Sequence, residues 1–280
     1  MIALSGQIHR MTGILTAAAL CMTVMTCTGC SDSDNPTFAL AHADGPRAAI
    51  YTDRGCWEES VRASEKMLQW AGFNVTRIGA EFINDRGLAG FDLLLVPGGD
   101  MYRYAQSISA AGKEKIRSFI NDGGGYIGIC GGGYFAASRV VWHGQPLSMV
   151  PLGLYDGDAI GPIAEVTPNS DYGMCRIAVT KPDHPVNAGL ARSISVLYYW
   201  GPAFVAEPGN DITVLGTYDA CDQPAMMAFD YGAGRVFIIG SHPEIEEDSD
   251  RDGVTFGDNL DDEGSDWPLL KNAAEWCLDK

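Results

Sequence analysis

Positive charge is scarce in this 280-residue chain. Its 19 lysines and arginines stand against 36 aspartates and glutamates, a formal net charge of −17. So acidic a surface repels phosphate backbones and anionic head groups, which excludes nucleic acid as a partner and lipid bound through charge. Histidine is sparse too, with five residues, so few imidazoles are available for acid–base chemistry. Internal repeats and low-complexity blocks are missing, and no linker interrupts the chain beyond residue 46. What remains is one stretch of ample length for a sizeable core.

Charge is wholly absent from Met11 to Ser31. Arg10 precedes an apolar run from Ile14 to Met25, and Thr28-Gly29-Cys30 follows. This resembles a bacterial lipoprotein signal, in which small residues precede a cysteine that is lipidated after cleavage. It departs from that pattern at Cys27, where leucine usually stands. The expectation is a signal peptide over 1–29, lipidation at Cys30, a polar tether over 30–46 and a domain over 47–280. The alternative is an uncleaved N-terminal anchor, barely long enough to span a bilayer. Either places the domain outside the cytoplasm, tethered to a membrane. Ser31 after the cysteine favours the outer membrane in a cell that has one.

With Cys21, Cys27 and Cys30 set aside, five cysteines remain: Cys56, Cys130, Cys175, Cys221 and Cys277. In an oxidising compartment an odd count leaves one thiol unpaired. If that thiol is Cys130, the others allow three pairings of two disulfides. Cys175 with Cys221 is favoured, because both flank predicted strands in the same half of the chain.

Order begins at Arg47–Tyr51, a first strand. Trp57, Val61, Ser64, Leu68 and Ala71 then form a helical stripe, ended by Gly72. Residues 73–78 read as a second strand. Phe91–Val96 is a continuous apolar run, as a parallel strand buried on both faces requires, and it stops at Pro97-Gly98-Gly99. A helix over 110–121 follows, with Ile116, Phe119 and Ile120 inward, then a strand ending at Cys130. This alternation predicts an α/β fold with an open, mostly parallel sheet and helices on both faces. Between Val140 and Phe229, short β-rich runs separated by Pro, Gly and Asp predict an inserted or appended section of mixed or antiparallel strands. Residues 225–229 and 235–239 flank a hairpin loop, and Asp266 caps a last helix over 267–278.

The stretch Gly128-Ile129-Cys130-Gly131-Gly132 has the composition of a strand turning sharply into a helix, with a nucleophile at the apex. The competing reading is a structural cysteine beside a glycine-rich loop. A thiol nucleophile needs a base and a group to orient that base. His242 follows an apolar run, and Pro243 pushes it towards extended geometry. Glu244, two residues on, then shares its face. The Gly131 amide and that of Gly98 or Gly99 are candidate oxyanion donors.

Pro97-Gly98-Gly99, Gly128-Ile129-Cys130-Gly131-Gly132 and Ser241-His242-Pro243-Glu244, in that order, resemble the class I glutamine amidotransferase-like superfamily. Within it they resemble the family named for the N-terminal domain of biotin-protein ligases. Tyr198-Tyr199-Trp200-Gly201-Pro202 is similar to that family's aromatic-Gly-Pro segment. The resemblance implies a flavodoxin-like sheet with Cys130 as nucleophile, His242 as base and Glu244 as orienting acid. Glutamine-hydrolysing members carry a glutamine four residues after the cysteine, at the substrate; here Tyr134 stands there. No synthetase or biotin-transferring domain accompanies the motifs. The expectation is therefore an amidase-like cysteine hydrolase, without glutaminase activity, acting on a small-molecule or peptide amide and requiring no cofactor. The alternative is a small-molecule-binding lipoprotein that does not turn its ligand over.

One further motif stands apart. Asp248-Ser249-Asp250-Arg251-Asp252-Gly253 matches the opening of a calcium loop, although its twelfth position is Asn259. A solvated acidic loop is the expectation, with a structural calcium held by Asp248, Asp250 and Asp252 as the alternative.

Overall fold

A computed structural model describes residues 45–246, 249–260 and 263–279. The expected signal, Cys30 and the tether up to residue 44 lie outside them. The first half runs β1 (Arg47–Tyr51), α1 (Glu58–Trp70), β2 (Asn74–Ile78), α2 (Ala80–Arg86), β3 (Leu93–Val96), α3 (Met101–Ser107), α4 (Ala110–Asn121), β4 (Gly125–Ile129) and α5 (Gly131–Ala136). The second half runs β5 (Ala137–Trp142), β6 (Gln145–Pro146), β7 (Tyr155–Gly161), β8 (Tyr172–Val179), β9 (Ser193–Tyr199), β10 (Ala203–Ala206), β11 (Thr213–Tyr218), β12 (Pro224–Tyr231), β13 (Gly234–Ile239) and α6 (Trp267–Leu278).

The apolar runs 93–96 and 125–129 become central strands, buried at every residue. Alternate side chains enter two cores. Leu93, Leu95, Ile127 and Ile129 pack with Val61, Leu68 and Leu270 of α1 and α6. Leu94, Val96 and Tyr126 pack with Ile83, Ile116 and Phe135 of α2, α4 and α5. Each such aliphatic side chain contributes about 1.5–3 kcal/mol by burial, so both faces hold helices firmly. Of the expected α1 stripe, Val61, Ser64 and Leu68 are buried, with Trp57 and Ala71 half-buried just outside the helix, and Ser109 caps α4 by accepting the Gly112 N–H at 3.0 Å. Phe119, expected inward, is only half-buried.

The large sheet has the order β2-β1-β3-β4-β13-β12-β11-β8-β9. Its β2-to-β13 half is parallel, whereas every pairing from β13 to β9 is antiparallel. The expectation of a mostly parallel sheet thus holds for one half only. The expected hairpin is the reason. The chain reverses between Tyr231 and Gly234, which face each other, and the strands beyond continue that reversal. The β-rich section is split: β8, β9, β11 and β12 extend the large sheet, and β10-β7-β5-β6 form a second sheet. No helix among the described residues is long and apolar enough to cross a membrane.

Candidate active site

Sheet order explains how distant motifs meet. β3, β4 and β13 are parallel neighbours with β4 in the middle. Their carboxyl ends deliver Pro97-Gly98-Gly99, Cys130 and His242 to one edge, where open α/β sheets bind ligands. The far strand of the antiparallel wing also returns there, since the His242 N–H donates to the Leu197 carbonyl of β9 at 2.7 Å.

Cys130 sits between β4 and α5 with φ +47° and ψ −102°, a conformation that non-glycine residues seldom adopt. The turn is tight enough to dictate its flanks. A Cβ at Gly132 would overlap the Val96 carbonyl, and one at Gly128 would lie 2.6 Å from the Gly132 carbonyl oxygen. The sharp strand-to-helix turn expected from these glycines is therefore present. The Tyr126 hydroxyl braces it by donating to the Gly132 carbonyl at 2.9 Å.

His242 and Glu244 are fully enclosed, and His242 Nδ1 lies 2.9 Å from Glu244 Oε1. The same Oε1 accepts the Ser60 hydroxyl at 2.5 Å, and Ser60 Oγ in turn accepts the Gly98 N–H at 2.8 Å. A buried relay thus joins the β3 loop to the imidazole. Burial disfavours the imidazolium. The negative fields of Cys130 and Glu244, and hydrogen bonds to both, outweigh it and raise the His242 pKa from 6.5 to about 10. The Cys130 thiol donates to the Tyr199 carbonyl at 3.5 Å, and His242 Nε2 lies 3.4 Å from the same oxygen. The Tyr199 peptide therefore borders both Sγ and Nε2.

Of the expected oxyanion donors, Gly98 has another use. Its N–H serves Ser60, and its missing Cβ makes room for the His242 ring. Gly99 and Gly131 remain; neither N–H has a partner among the described residues. The two backbones touch, for a Cβ on Gly131 would meet the Gly99 nitrogen at 2.8 Å. Tyr134 is buried, and its hydroxyl donates to the Trp200 carbonyl at 2.9 Å. Burial lifts its pKa well above 10, so it stays a donor. A cleft of about 700 Å³ opens over Cys130 and His242, walled by Trp57, Tyr134, Trp142, Tyr199 and Trp200, with Asp100, Arg103 and Gln106 at one side.

Sequence reasoning missed Ser60, Trp57 and Trp142. Trp57 was visible only as part of a helical stripe. Nothing in the sequence links Ser60 to Glu244, 184 residues away.

The expected Cys175–Cys221 disulfide is not formed. The β8–β11 ladder ends at Ile177 and Tyr218, and Cys221 belongs to the turn beyond it, its N–H donating to Tyr218. Of the candidate calcium ligands, Asp248 lies outside the described residues and Asp250 is exposed. Asp252 turns inward and accepts the N–H groups of Glu246 and Val254, each at 3.0 Å. No group of three or more His, Cys, Asp or Glu residues suited to a metal occurs among the described residues.

A fission-yeast (Schizosaccharomyces pombe) biotin–protein ligase is 28% identical over 166 residues, 55% of this chain and 25% of the ligase. An uncharacterised protein of Chlamydia muridarum is 29% identical over 126 residues, 41% of this chain and 49% of that protein. The chain thus spans about half the length of one relative and a quarter of the other. Among solved structures, a Thermotoga maritima glutamine amidotransferase superposes with a TM-score of 0.55 at 14% identity, over 84% of this chain and 99% of that one. A Bacillus circulans β-galactosidase superposes at 0.51 and 16% identity, over 84% of this chain and 32% of the enzyme. These likenesses show a glutamine amidotransferase-like fold. The family described as "Biotin-protein ligase, N terminal" matches residues 47–261, most of the chain, which therefore belongs to that family.

Proposed function

We propose that the protein is a cysteine-dependent amide hydrolase. The observation that carries this reading is the thiol held at φ +47° beside an imidazole whose far nitrogen meets a buried carboxylate. In the proposed reaction, Cys130 Sγ, its proton already held by His242, attacks the amide carbonyl carbon. The carbonyl oxygen, now negative, lies between the Gly99 and Gly131 N–H groups. Collapse breaks the C–N bond, His242 returns the proton to the departing amine, and an acyl-thioester remains. Water activated by His242 then cleaves the thioester and frees the acid. Glu244 keeps the proton on Nδ1 and stabilises the imidazolium between steps. No metal or organic cofactor enters this scheme.

Glutamine is a poor candidate substrate, because Tyr134 stands where glutamine-hydrolysing relatives place a substrate-binding glutamine and its hydroxyl is engaged by Trp200. We also place the enzyme outside the cytoplasm, lipid-anchored through Cys30, on the strength of the N-terminal sequence. Ligand binding without turnover is the second reading. The Tyr199 carbonyl favours it, because it lies against both Sγ and Nε2 where they would engage a substrate.

Thiol alkylation against pH, in parallel with hydrolysis of a panel of amides, tests the proposal. Burial lifts Cys56 to about 11 and Cys277 to about 12, so neither competes near neutrality. Rapid alkylation of Cys130 near pH 7, slowed in His242→Asn, is the expected result. Slow alkylation unaffected by that change, with no amide hydrolysed, supports the second reading instead.

A further inference from the structure

The wall of the cleft is built from rings that three separate parts of the chain supply. Trp142 ends β5 and Trp200 stands just before β10. Strand β7 lies between those strands, with Gly161 opposite Trp142 and Ile160 opposite Ala203, so both tryptophans come to the same end of the small sheet. They meet edge to face at 85°, ring centroids 6.2 Å apart. Tyr199 tilts against Trp200 at 5.1 Å. Trp57 stands perpendicular to Tyr199 at 5.4 Å and to His242 at 5.1 Å. The rings form an unbroken path from the mouth of the cleft to the imidazole.

Trp200 is the unusual member. It is 37% exposed, and its φ is +55°, a region that bulky side chains rarely adopt. The Tyr134 hydroxyl secures its carbonyl. For the backbone alone, glycine would serve better at this position, as it does at many other left-handed positions in this chain. An exposed tryptophan held against its backbone preference, at the mouth of a cleft, points to a ligand that uses its ring.

Charge narrows that ligand further. Apart from His242, the charged residues lining the cleft are Asp100 and Arg103. They face each other, Arg103 Nε 3.6 Å from Asp100 Oδ2, and Asp100 Oδ1 accepts the N–H groups of Tyr102 and Arg103. Each therefore answers the other. A free amino acid brings an ammonium and a carboxylate, both of which need counter-charges, and an anionic ligand meets a chain of net charge −17. The volume of about 700 Å³ suits a small molecule rather than a folded chain.

We infer that the site takes an uncharged amide carrying a six-membered ring, the ring stacked on Trp200 and the amide directed to Cys130. A pyranose and an aryl group share the required chemistry, a flat face with apolar C–H or π surface. The inference rests on the hydrolase reading for which bond is cut. The recognition itself is independent of turnover.

The test separates the two. Cys130→Ala binds without chemistry, and its full chain is titrated calorimetrically with N-acetylglucosamine, benzamide and glutamine. At least one ring amide binds and glutamine does not; which ring amide binds tells sugar from aryl. Adding Trp200→Gly weakens that binding about tenfold, the loss of one stacked ring, while the thermal midpoint holds or rises because the strained φ is relieved. Binding by glutamine alone, or by none of the three, overturns the inference. So does undiminished ring binding in the Trp200→Gly background, or a fall in its thermal midpoint, which would make the ring structural. Ring binding by Cys130→Ala with no hydrolysis by the parent defeats the hydrolase reading and leaves this one standing.

Discussion

The two sheets meet at the cleft and contribute different things. The parallel half of the large sheet supplies the groups proposed to react, and it fixes them through backbone. Strand ends, a turn too tight for a Cβ and a serine relay leave Cys130, His242 and Gly99 little freedom. The small sheet, with the end of β9 and Trp200 after it, supplies rings that touch one another and face open space. The fixed half is where bond-making groups need accurate placement, and the ring-bearing half is where a ligand can be selected with little geometric demand. If this division is right, changes in the first region lower kcat and changes in the second raise KM.

The largest expected effect comes from Cys130→Ser. Hydrolysis falls at least about a thousandfold while the thermal midpoint stays near that of the parent, since one buried atom changes. Residual turnover near the parent level would remove the nucleophile from the parallel half and end the comparison. Gly132→Ala follows. The new Cβ must displace the Val96 carbonyl of β3, a neighbouring backbone with nowhere to move, so the fold loses about 1–3 kcal/mol and turnover falls with it. Chemical denaturation and steady-state kinetics on the same preparation check both.

Ser60→Ala sharpens the comparison, because Ser60 hydrogen-bonds Glu244 and Gly98, not the thiol or the imidazole. Removing it leaves the Gly98 N–H without a partner and takes from Glu244 Oε1 one of its two hydrogen bonds, at a cost of about 1–3 kcal/mol. Its specific signature lies in pH. The His242 pKa is raised from 6.5 to about 10 by Cys130 and Glu244. Such a group contributes stability that is fully present below about 6.5 and is lost as pH rises through about 10. Denaturation midpoints of the parent should therefore fall between pH 7 and 10. Glu244→Gln should flatten that slope by removing one source of the shift, and Ser60→Ala should reduce it by loosening Glu244. A slope unchanged in both variants would mean that the relay does not hold the imidazole.

The same division explains what could be read in the sequence. Leu93–Val96 and Gly125–Ile129 are continuous apolar runs because helices cover both faces, and glycines around Cys130 are demanded by sterics, so both are written locally. The small sheet carries no comparable signal. β7 reads Tyr-Asp-Gly-Asp-Ala-Ile-Gly, of which only Tyr155 and Ile160 favour strands. Asp156 and Asp158 are met by Arg139 of β5 at 2.9 and 2.7 Å. That pairing across 17 and 19 positions is a tertiary fact. The helices α2 and α3, seven residues each, are too short to establish a period. The motif at 241–244 announced His242 and Glu244, but Ser60 acquires its part only when α1 packs beside β13's end.

Trp142→Ala is expected to have the smallest effect, and it tests the ring-bearing half directly. Trp142 is half-buried at the end of β5, in edge contact with Trp200 and with Tyr134 at 5.7 Å, and it touches no group that exchanges protons or electrons in the proposed reaction. Its loss removes a neighbour that holds the Trp200 ring in place, so a ring-bearing amide should bind less well in ground and transition state alike. KM should rise several-fold, up to about tenfold, with kcat within about twofold of the parent. An unhindered small amide, which does not reach the wall, should be turned over as before. The opposite pattern, kcat falling for every amide with KM unmoved, would mean that Trp142 acts on Cys130 through Tyr134 and the Trp200 carbonyl. The small sheet would then belong to the machinery it was contrasted with, and the difference between the two regions would be one of legibility in the sequence, not of role.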